Sequence, residues 1–228
     1  MNVFYLIILF MLGSSSASFL SVVTVRSHRS ESIIYPKSHC DNCKNYLEFI
    51  ELIPIFSYIF LKGKCKHCHE LIDRTSFISE IFLGCLFVIA AFQPSPLDEI
   101  VIGINMLYLS LDDLEDTQVS RCFLIFFSVI CIILGHPRLL YLVITIVLTL
   151  VLLLINHQEK SIGNADIEFC GALVILIGVN STIIVVFIAC VMALFYLLIH
   201  NNYQMKLAFI PFLAFAYWIS HLFHCFIK

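Results

Sequence analysis

The sequence predicts an all-α polytopic membrane protein of about eight transmembrane helices, with a cytoplasmic four-cysteine zinc-binding loop between helices 1 and 2. Three observations lead there. The 228-residue chain is 61% hydrophobic and only 13% charged, with a mean hydropathy of +0.98, an apolar share beyond what a soluble core of this size uses. Its apolar runs approach the roughly 20 residues that a bilayer requires of a spanning helix. Eight of its thirteen basic residues, Arg26, Arg29, Lys37, Lys44, Lys62, Lys64, Lys66 and Arg74, fall in a single polar stretch. The net charge of −3 comes with no dense basic cluster, so nothing here points to a nucleic-acid partner.

The first element is the apolar run 2–25. Its basic residues, Arg26 and Arg29, follow it rather than precede it. A cleaved signal peptide has the opposite order, so the run is expected to be an uncleaved helix with its N-terminus outside. The polar stretch 26–74 follows, and further helices are expected at about 76–94, 99–112, 121–136, 138–156, 168–182, 183–200 and 206–226. If the chain alternates sides, eleven basic residues collect inside (the loop's eight with Arg121, Lys160 and Lys206) against Arg138 and Lys228 outside. That asymmetry orients the protein in the cell membrane with the loop in the cytoplasm. The expected division is a first transmembrane helix (1–25), a cytoplasmic zinc-binding loop (26–75) and a transmembrane core (76–228).

Within the loop, Cys40-Asp-Asn-Cys43 is followed after 21 residues by Cys65-Lys-His-Cys68. Two such pairs form knuckles that close around one tetrahedral zinc, and four thiolates leave no open position, so the metal is expected to be structural. Reduced dithiols or disulfides are the alternative, the latter disfavoured in a cytoplasmic loop. His39, His67 and His69 flank the cysteines as substitute ligands. The remaining cysteines, Cys85, Cys122, Cys131, Cys170, Cys190 and Cys225, lie in apolar stretches and are expected to pack as small buried hydrophobes.

Asp112, Asp113, Glu115 and Asp116 end one apolar run, while Asp166 and Glu168 open another. Ionisable groups at membrane depth are costly, which makes them functional candidates, although solvated charges at helix ends are the plainer reading. The segment Gly163-Asn-Ala-Asp166 lets the backbone approach closely around a carboxylate at a helix start. Asp113 and Asp166 could then act as an acid pair, one activating water while the other polarises a carbonyl. No His-Glu-x-x-His, Gly-x-Ser-x-Gly or phosphate-binding glycine loop is present.

From about Ala17 to Gly178 these features, in their order, resemble the type IV prepilin peptidase family, including its Gram-positive competence branch. Ala17-Ser-Phe-Leu-Ser21-Val-Val before Arg26 is similar to the family's Gly-Ser-Phe-Leu-Asn-Val-Val-x-x-Arg, with Ala17 and Ser21 as departures. The cysteine loop has the family's gap and an internal Ile53-Pro-Ile-Phe-Ser57. Glu80 stands where the family has a glutamate, although the usual Arg-Tyr-Pro before it reads Thr75-Ser-Phe77. Asp113-Leu114 matches the first catalytic aspartate, with Ser120 where the family has proline, and Asp112 is the competing assignment. Gly163-Asn-Ala-Asp166-Ile is similar to Gly-x-Gly-Asp-Ile-Lys, with Ala165 and Glu168 as departures.

The resemblance implies an aspartic endopeptidase that cuts prepilins or competence pseudopilins after a glycine, at the cytoplasmic end of their apolar helix, with Asp113 and Asp166 catalytic. Many family members also N-methylate the new N-terminus with S-adenosylmethionine. No residue of this sequence marks a methyl-donor pocket by its own chemistry, and the Thr75–Phe77 departures fall in the region tied to that activity. A non-enzymatic scaffold or transporter with a partner-docking zinc loop is the alternative of a different class, although transporters place ionisable groups nearer the midplane. Peptidases of the presenilin or archaeal preflagellin type share the aspartates and generally lack the four-cysteine loop.

Overall fold

The computed structural model describes residues 2–116, 119–156, 163–200 and 206–227, with side chains to residue 222. Among them the chain is all-helical apart from two isolated β-bridges. It forms two compact units, Met1–Tyr108 and Leu109–Lys228.

The first unit is built on α1 (Val3–His28) and α3 (Arg74–Ala90), which pack along each other. The sequence allows this because Gly13, Ala17 and Ser21 recur every four residues on one face of α1, so two backbones can approach closely. A Cβ at Gly13 would sit 2.5 Å from the Leu83 carbonyl oxygen, and one at Gly84 would sit 2.5 Å from Ser14 Oγ. Polar contacts then lock the register. Ser14 Oγ donates to the Glu80 carbonyl at 3.0 Å, and the Ser21 and Ser79 hydroxyls meet at 3.3 Å. Between the two helices the polar loop folds two short elements, a 3₁₀ turn at Phe49–Leu52 and α2 (Phe56–Phe60).

The helix α4 (Pro96–Asp116) runs across the boundary between the units. In the second unit, α7 (Asn164–Ile177) is the central element, packed by α5 (Arg121–Gly135), α6 (Leu139–Ile155) and α8 (Val179–His200), and α8 also packs on α9 (Ile210–Ile227). Phe127 of α5 stacks on Phe169 of α7 with ring centroids 5.1 Å apart. Small residues again set the spacing. A Cβ at Gly135 would meet the Ile175 carbonyl at 2.5 Å, and one at Gly171 would meet Thr149 Oγ1 at 2.6 Å.

Helices form where the sequence expects them, but several ends differ: α3 stops at Ala90 instead of 94, α4 runs on to Asp116 instead of 112, α7 starts at Asn164 instead of 168, α9 starts at Ile210 instead of 206, and the break between α7 and α8 falls at Gly178 instead of near 182. Gly178 sits at φ +81°, a conformation that a residue with a Cβ rarely adopts. Two helices, Val3–His28 and Val179–His200, are long and apolar enough to cross a membrane, and Arg121–Gly135, Leu139–Ile155 and Ile210–Leu222 are shorter apolar helices. The outward faces of these helices are strongly apolar. On α6 alone, Leu140, Ile144, Val147, Leu148 and Leu154 are each more than half exposed, a continuous patch that water does not tolerate on a soluble protein.

The same outward surface corrects one expectation about the cysteines. Cys131 is buried and Cys170 half-buried, but Cys85, Cys122 and Cys190 are exposed on apolar helices, where a weakly polar thiol suits apolar surroundings as well as it suits a core. The Cys225 side chain, Lys160 and Lys228 lie outside the described residues.

Candidate functional site

The two cysteine pairs fold into two knuckles of one construction, offset by 25 residues. In the first, Cys40 N–H donates to Asn45 O at 3.0 Å, Lys44 N–H to Cys40 O at 2.9 Å and Leu47 N–H to Ser38 O at 2.9 Å. In the second, Cys65 N–H donates to Glu70 O at 2.8 Å, His69 N–H to Cys65 O at 3.0 Å and Ile72 N–H to Gly63 O at 2.9 Å. Each is closed by a bridge, His39 with Tyr46 and Lys64 with Leu71. The turn reverses on a left-handed residue, Lys44 at φ 59° and His69 at φ 59°, positions where glycine would be the unstrained choice.

The knuckles face each other. Cys40 and Cys68 Sγ are 3.8 Å apart, Cys43 and Cys65 Sγ are 4.0 Å apart, and all four sulfurs lie within 4.8 Å of one another. A disulfide needs about 2.05 Å, and all four thiols are free. A tetrahedral zinc with Zn–S of about 2.3 Å has sulfur–sulfur edges of about 3.8 Å, so four thiolates at this spacing fit that ion. The Cys65 thiol is brought down to about 6 by hydrogen bonds from the Cys68 and His67 backbone N–H groups, with the neighbouring cysteines adding to the effect. The cluster is made of cysteines alone, and the His39 ring nitrogen Nδ1 is instead 3.0 Å from the Lys37 carbonyl.

The loop is tied to the α1–α3 pair at several points. Arg29 holds Asp41, inside the first knuckle, through two bonds of 2.7 and 3.2 Å, and the hydrogen bond from Arg29 keeps the Asp41 carboxyl below its usual value. Arg26, buried at the end of α1, donates to the carbonyls of Ser32 and Ile33. Glu80, buried in α3, accepts from Ile55 N–H at 2.8 Å and from the Ser18 hydroxyl. Ile55 itself is held at φ 64°, a conformation that persists because this buried carboxylate anchors its amide.

The acidic residues lie in the second unit. Asp112 and Asp113 occupy the last turn of α4 and are 2% and 6% exposed. Carboxylates there oppose the negative end of the helix dipole, so their burial requires positive partners. They find different ones. Asp112 Oδ2 accepts from Ser120 N–H at 2.8 Å, at the start of α5, whereas Asp113 Oδ2 accepts from Ile210 N–H at 3.1 Å and also receives the Phe209 N–H. Asp113 thus sits on the N-terminus of α9, where free amides and the positive end of the dipole favour an anion.

Asp166 is the third residue of α7, and its side chain accepts from the backbone N–H of Gly163, the N-cap. This is one half of a capping box, with the carboxylate reaching back to the cap amide. The close approach depends on glycine, because a Cβ at position 163 would come 2.9 Å from Asp166 Oδ2. The α6 and α7 ends are stitched by Asn156 Nδ2 donating to Asn164 Oδ1 at 3.0 Å. The Asp113 charge acts directly on Asp166. Two carboxylates 53 positions apart in sequence are therefore brought into one compact unit, each held by a helix N-terminus.

The sequence expectation named Cys40, Cys43, Cys65, Cys68, Asp113 and Asp166, and the structure clusters the four cysteines, but the expectation did not include the amides of Phe209 and Ile210 that Asp113 accepts from. Their signal was Pro211, a residue suited to the first turn of a helix, which marks an N-terminus whose unpaired amides need an acceptor.

Comparison with known proteins matches a family model described as the bacterial peptidase A24 N-terminal domain over residues 11–93, and one described as the type IV leader peptidase family over residues 100–198. Among curated proteins, the prepilin leader peptidase/N-methyltransferase of Bacillus subtilis is 35% identical over 124 residues, covering 53% of this chain and 50% of that protein. The proteins of the same name from Klebsiella pneumoniae (30% identical; 45% of this chain, 48% of that one) and Vibrio cholerae (33% identical; 40% and 38%) are also similar. The chain spans half or less of the length of these relatives. No solved structure matches it.

Proposed function

The chain belongs to the type IV leader peptidase family, and from that premise we propose that it is a membrane-embedded aspartic endopeptidase that removes the leader of type IV prepilin-like proteins, with Asp113 and Asp166 as its catalytic pair. The observation that supports this most is the convergence of the two carboxylates. One is buried at the end of α4 and one sits at the start of α7, within the same compact unit, and the Asp113 charge is among the influences on Asp166.

The chemistry follows from two carboxylates that cannot both ionise at close range. The ionised member takes a proton from water as the oxygen attacks the scissile glycine carbonyl, while the protonated member gives its proton to the carbonyl oxygen, so that the two carboxyls exchange protonation states. A tetrahedral gem-diol forms without a covalent enzyme intermediate. Proton transfer to the nitrogen then releases the new amino terminus as the C–N bond breaks. The amides of Phe209 and Ile210 hold the Asp113 carboxylate in place, and the Gly163 amide holds Asp166.

Around this pair we propose about eight spans in the cell membrane, with the N-terminus outside and both the cysteine loop and the aspartates on the cytoplasmic side, and a division into a first helix (1–25), a zinc loop (26–75) and a peptidase core (76–228). Cys40, Cys43, Cys65 and Cys68 would hold a structural zinc, which supplies no chemistry beyond fixing the two knuckles. The substrates are prepilins or competence pseudopilins, whose apolar helix lies in the bilayer while the basic leader reaches the cytoplasm. An N-methyltransferase activity, which the relatives' names state for those proteins, would use S-adenosylmethionine as its methyl donor. Peptidase chemistry needs no methyl donor.

The test is to incubate the purified chain, in lipid vesicles, with a full-length prepilin-like substrate in ¹⁸O-labelled water and to weigh both products. The expected result is one cut after a glycine, with one ¹⁸O atom in the leader's new carboxylate. No cleavage, with the substrate still bound, would favour a scaffold.

A further inference from the structure

The loop's short helix α2 (Phe56–Phe60) is placed beside the apolar helices, not beyond their ends. The Ile55 amide bonds to Glu80, six residues into α3, and Tyr58 stacks on Phe77 with ring centroids 4.3 Å apart and planes 18° from parallel. At a rise of about 1.5 Å per residue these partners lie roughly 5 to 9 Å down α3 from its start at Arg74. The Ser18 hydroxyl that shares Glu80 is ten residues before the end of α1. Helix α2 therefore lies at the level where the apolar run of α3 begins, although the loop as a whole is polar.

At that level α2 presents bulky apolar side chains outward. Phe56, Ile59 and Phe60 are 49%, 58% and 77% exposed. The adjoining 3₁₀ turn adds Phe49 and Ile50, at 82% and 68%. Directly after Phe60 come Lys62, Lys64 and Lys66, which line one groove with Phe60 and Leu61, Lys66 being paired to Glu48 at 2.9 Å. Exposed aromatics bordered by lysines, level with the entry of a spanning helix, are the pattern of an element lying in the headgroup layer. Cations just beyond it complement anionic headgroups.

We propose that α2 is an interfacial membrane anchor, inserting Ile59 and Phe60 at the acyl boundary while Lys62 and Lys64 engage anionic lipid headgroups, so that the cysteine knuckles are held on the bilayer surface. The occupant of this apolar face is lipid because α2 is held against Phe77 and Glu80, at the level where the apolar run of α3 begins, and the lysines that follow it complement anionic headgroups. The inference rests on the membrane reading of α1 and α3.

The experiment uses the full chain carrying Phe60→Trp, reconstituted in phosphatidylcholine vesicles with bromine on the acyl chains, the spectrum of the unsubstituted chain being subtracted to remove Trp218. Zinc content checks that the loop is folded. The expected result is blue-shifted emission that bromolipid quenches and aqueous acrylamide barely touches. Emission at the aqueous maximum that acrylamide quenches overturns the proposal. So does a shielded tryptophan that neither agent quenches, which would mean a protein occupant. Moving the bromine to phosphatidylglycerol should strengthen quenching in the Lys62 and Lys64 background, and the gain should vanish in Lys62→Gln/Lys64→Gln. A gain that persists in the double variant overturns the headgroup assignment. A chain that stays in the supernatant after high-speed centrifugation without detergent instead overturns the membrane reading itself.

Discussion

Gly163→Ala tests the geometry of the pair with the smallest perturbation the structure allows. Gly163 has φ −62° and ψ 136°, which alanine adopts freely, so the backbone is not strained. The added Cβ meets Asp166 Oδ2 at 2.9 Å, where ordinary contact begins near 3.4 Å. The carboxylate oxygen must therefore retreat by about 0.5 Å, and because it is the end of a side chain it can do so without unfolding α7. Replacing an N-cap glycine by alanine costs up to about 1 kcal/mol of stability. A 1 Å misplacement of a reacting group costs up to about 10²-fold in rate, so half that displacement should cost about tenfold, or about 1.4 kcal/mol of barrier. The assay is steady-state leader removal beside thermal unfolding in detergent. The expected result is a kcat lower by about tenfold, an unchanged KM and a slightly lowered Tm. Full activity in Gly163→Ala would refute the claim that the Asp166 carboxylate is positioned by this approach.

Four other outcomes are expected. The chain should bind one zinc, retained at neutral pH and released in acid, since protons compete for the thiolates; a chromogenic chelator reads this, and a zinc content left unchanged by loss of a cysteine of the cluster would exclude thiolate ligation there. Cys65→Ser or Cys68→Ser should lose the metal and make residues 38–72 sensitive to protease. Glu80→Ala removes the acceptor of the Ile55 amide and should destabilise the loop by about 1–3 kcal/mol, whereas Glu80→Gln, which keeps an acceptor oxygen, should cost less; equal losses would mean that charge matters more than the hydrogen bond. Gly13→Ala places a methyl 2.5 Å from the Leu83 carbonyl, a backbone atom that cannot swing aside, so a cost of about 1–3 kcal/mol is expected, read as a lowered Tm in detergent.

Most helices were legible because an apolar run between polar breaks needs no tertiary information. The α7–α8 junction was misplaced because the polar run Asn180-Ser-Thr182 suggests a break there, whereas α8 carries those three residues in its first turn and the stop is Gly178 at positive φ. The 3₁₀ turn and α2 were missed for a different reason. They are four and five residues long, too short to hold as isolated helices; the 3₁₀ turn is held by the Glu48–Glu51 capping box and α2 by Glu80 and Phe77. Cysteine spacing revealed the knuckles, but not their left-handed residues, which are Lys44 and His69 instead of the glycine that would announce them. Asp112 and Asp113 were indistinguishable as neighbours in sequence. Their partners separate them, since Asp112 satisfies the start of α5 while Asp113 reaches an amide 97 residues away.

The pairing of Asp113 with Asp166 is tested most directly by co-expressing the chain with a prepilin-like substrate and following leader removal by gel shift in Asp113→Asn, Asp166→Asn and Asp112→Asn. The expected result is an uncut precursor for Asp113→Asn and Asp166→Asn and processing by Asp112→Asn; cleavage by all three variants at the unsubstituted rate would contradict an aspartic mechanism at this site.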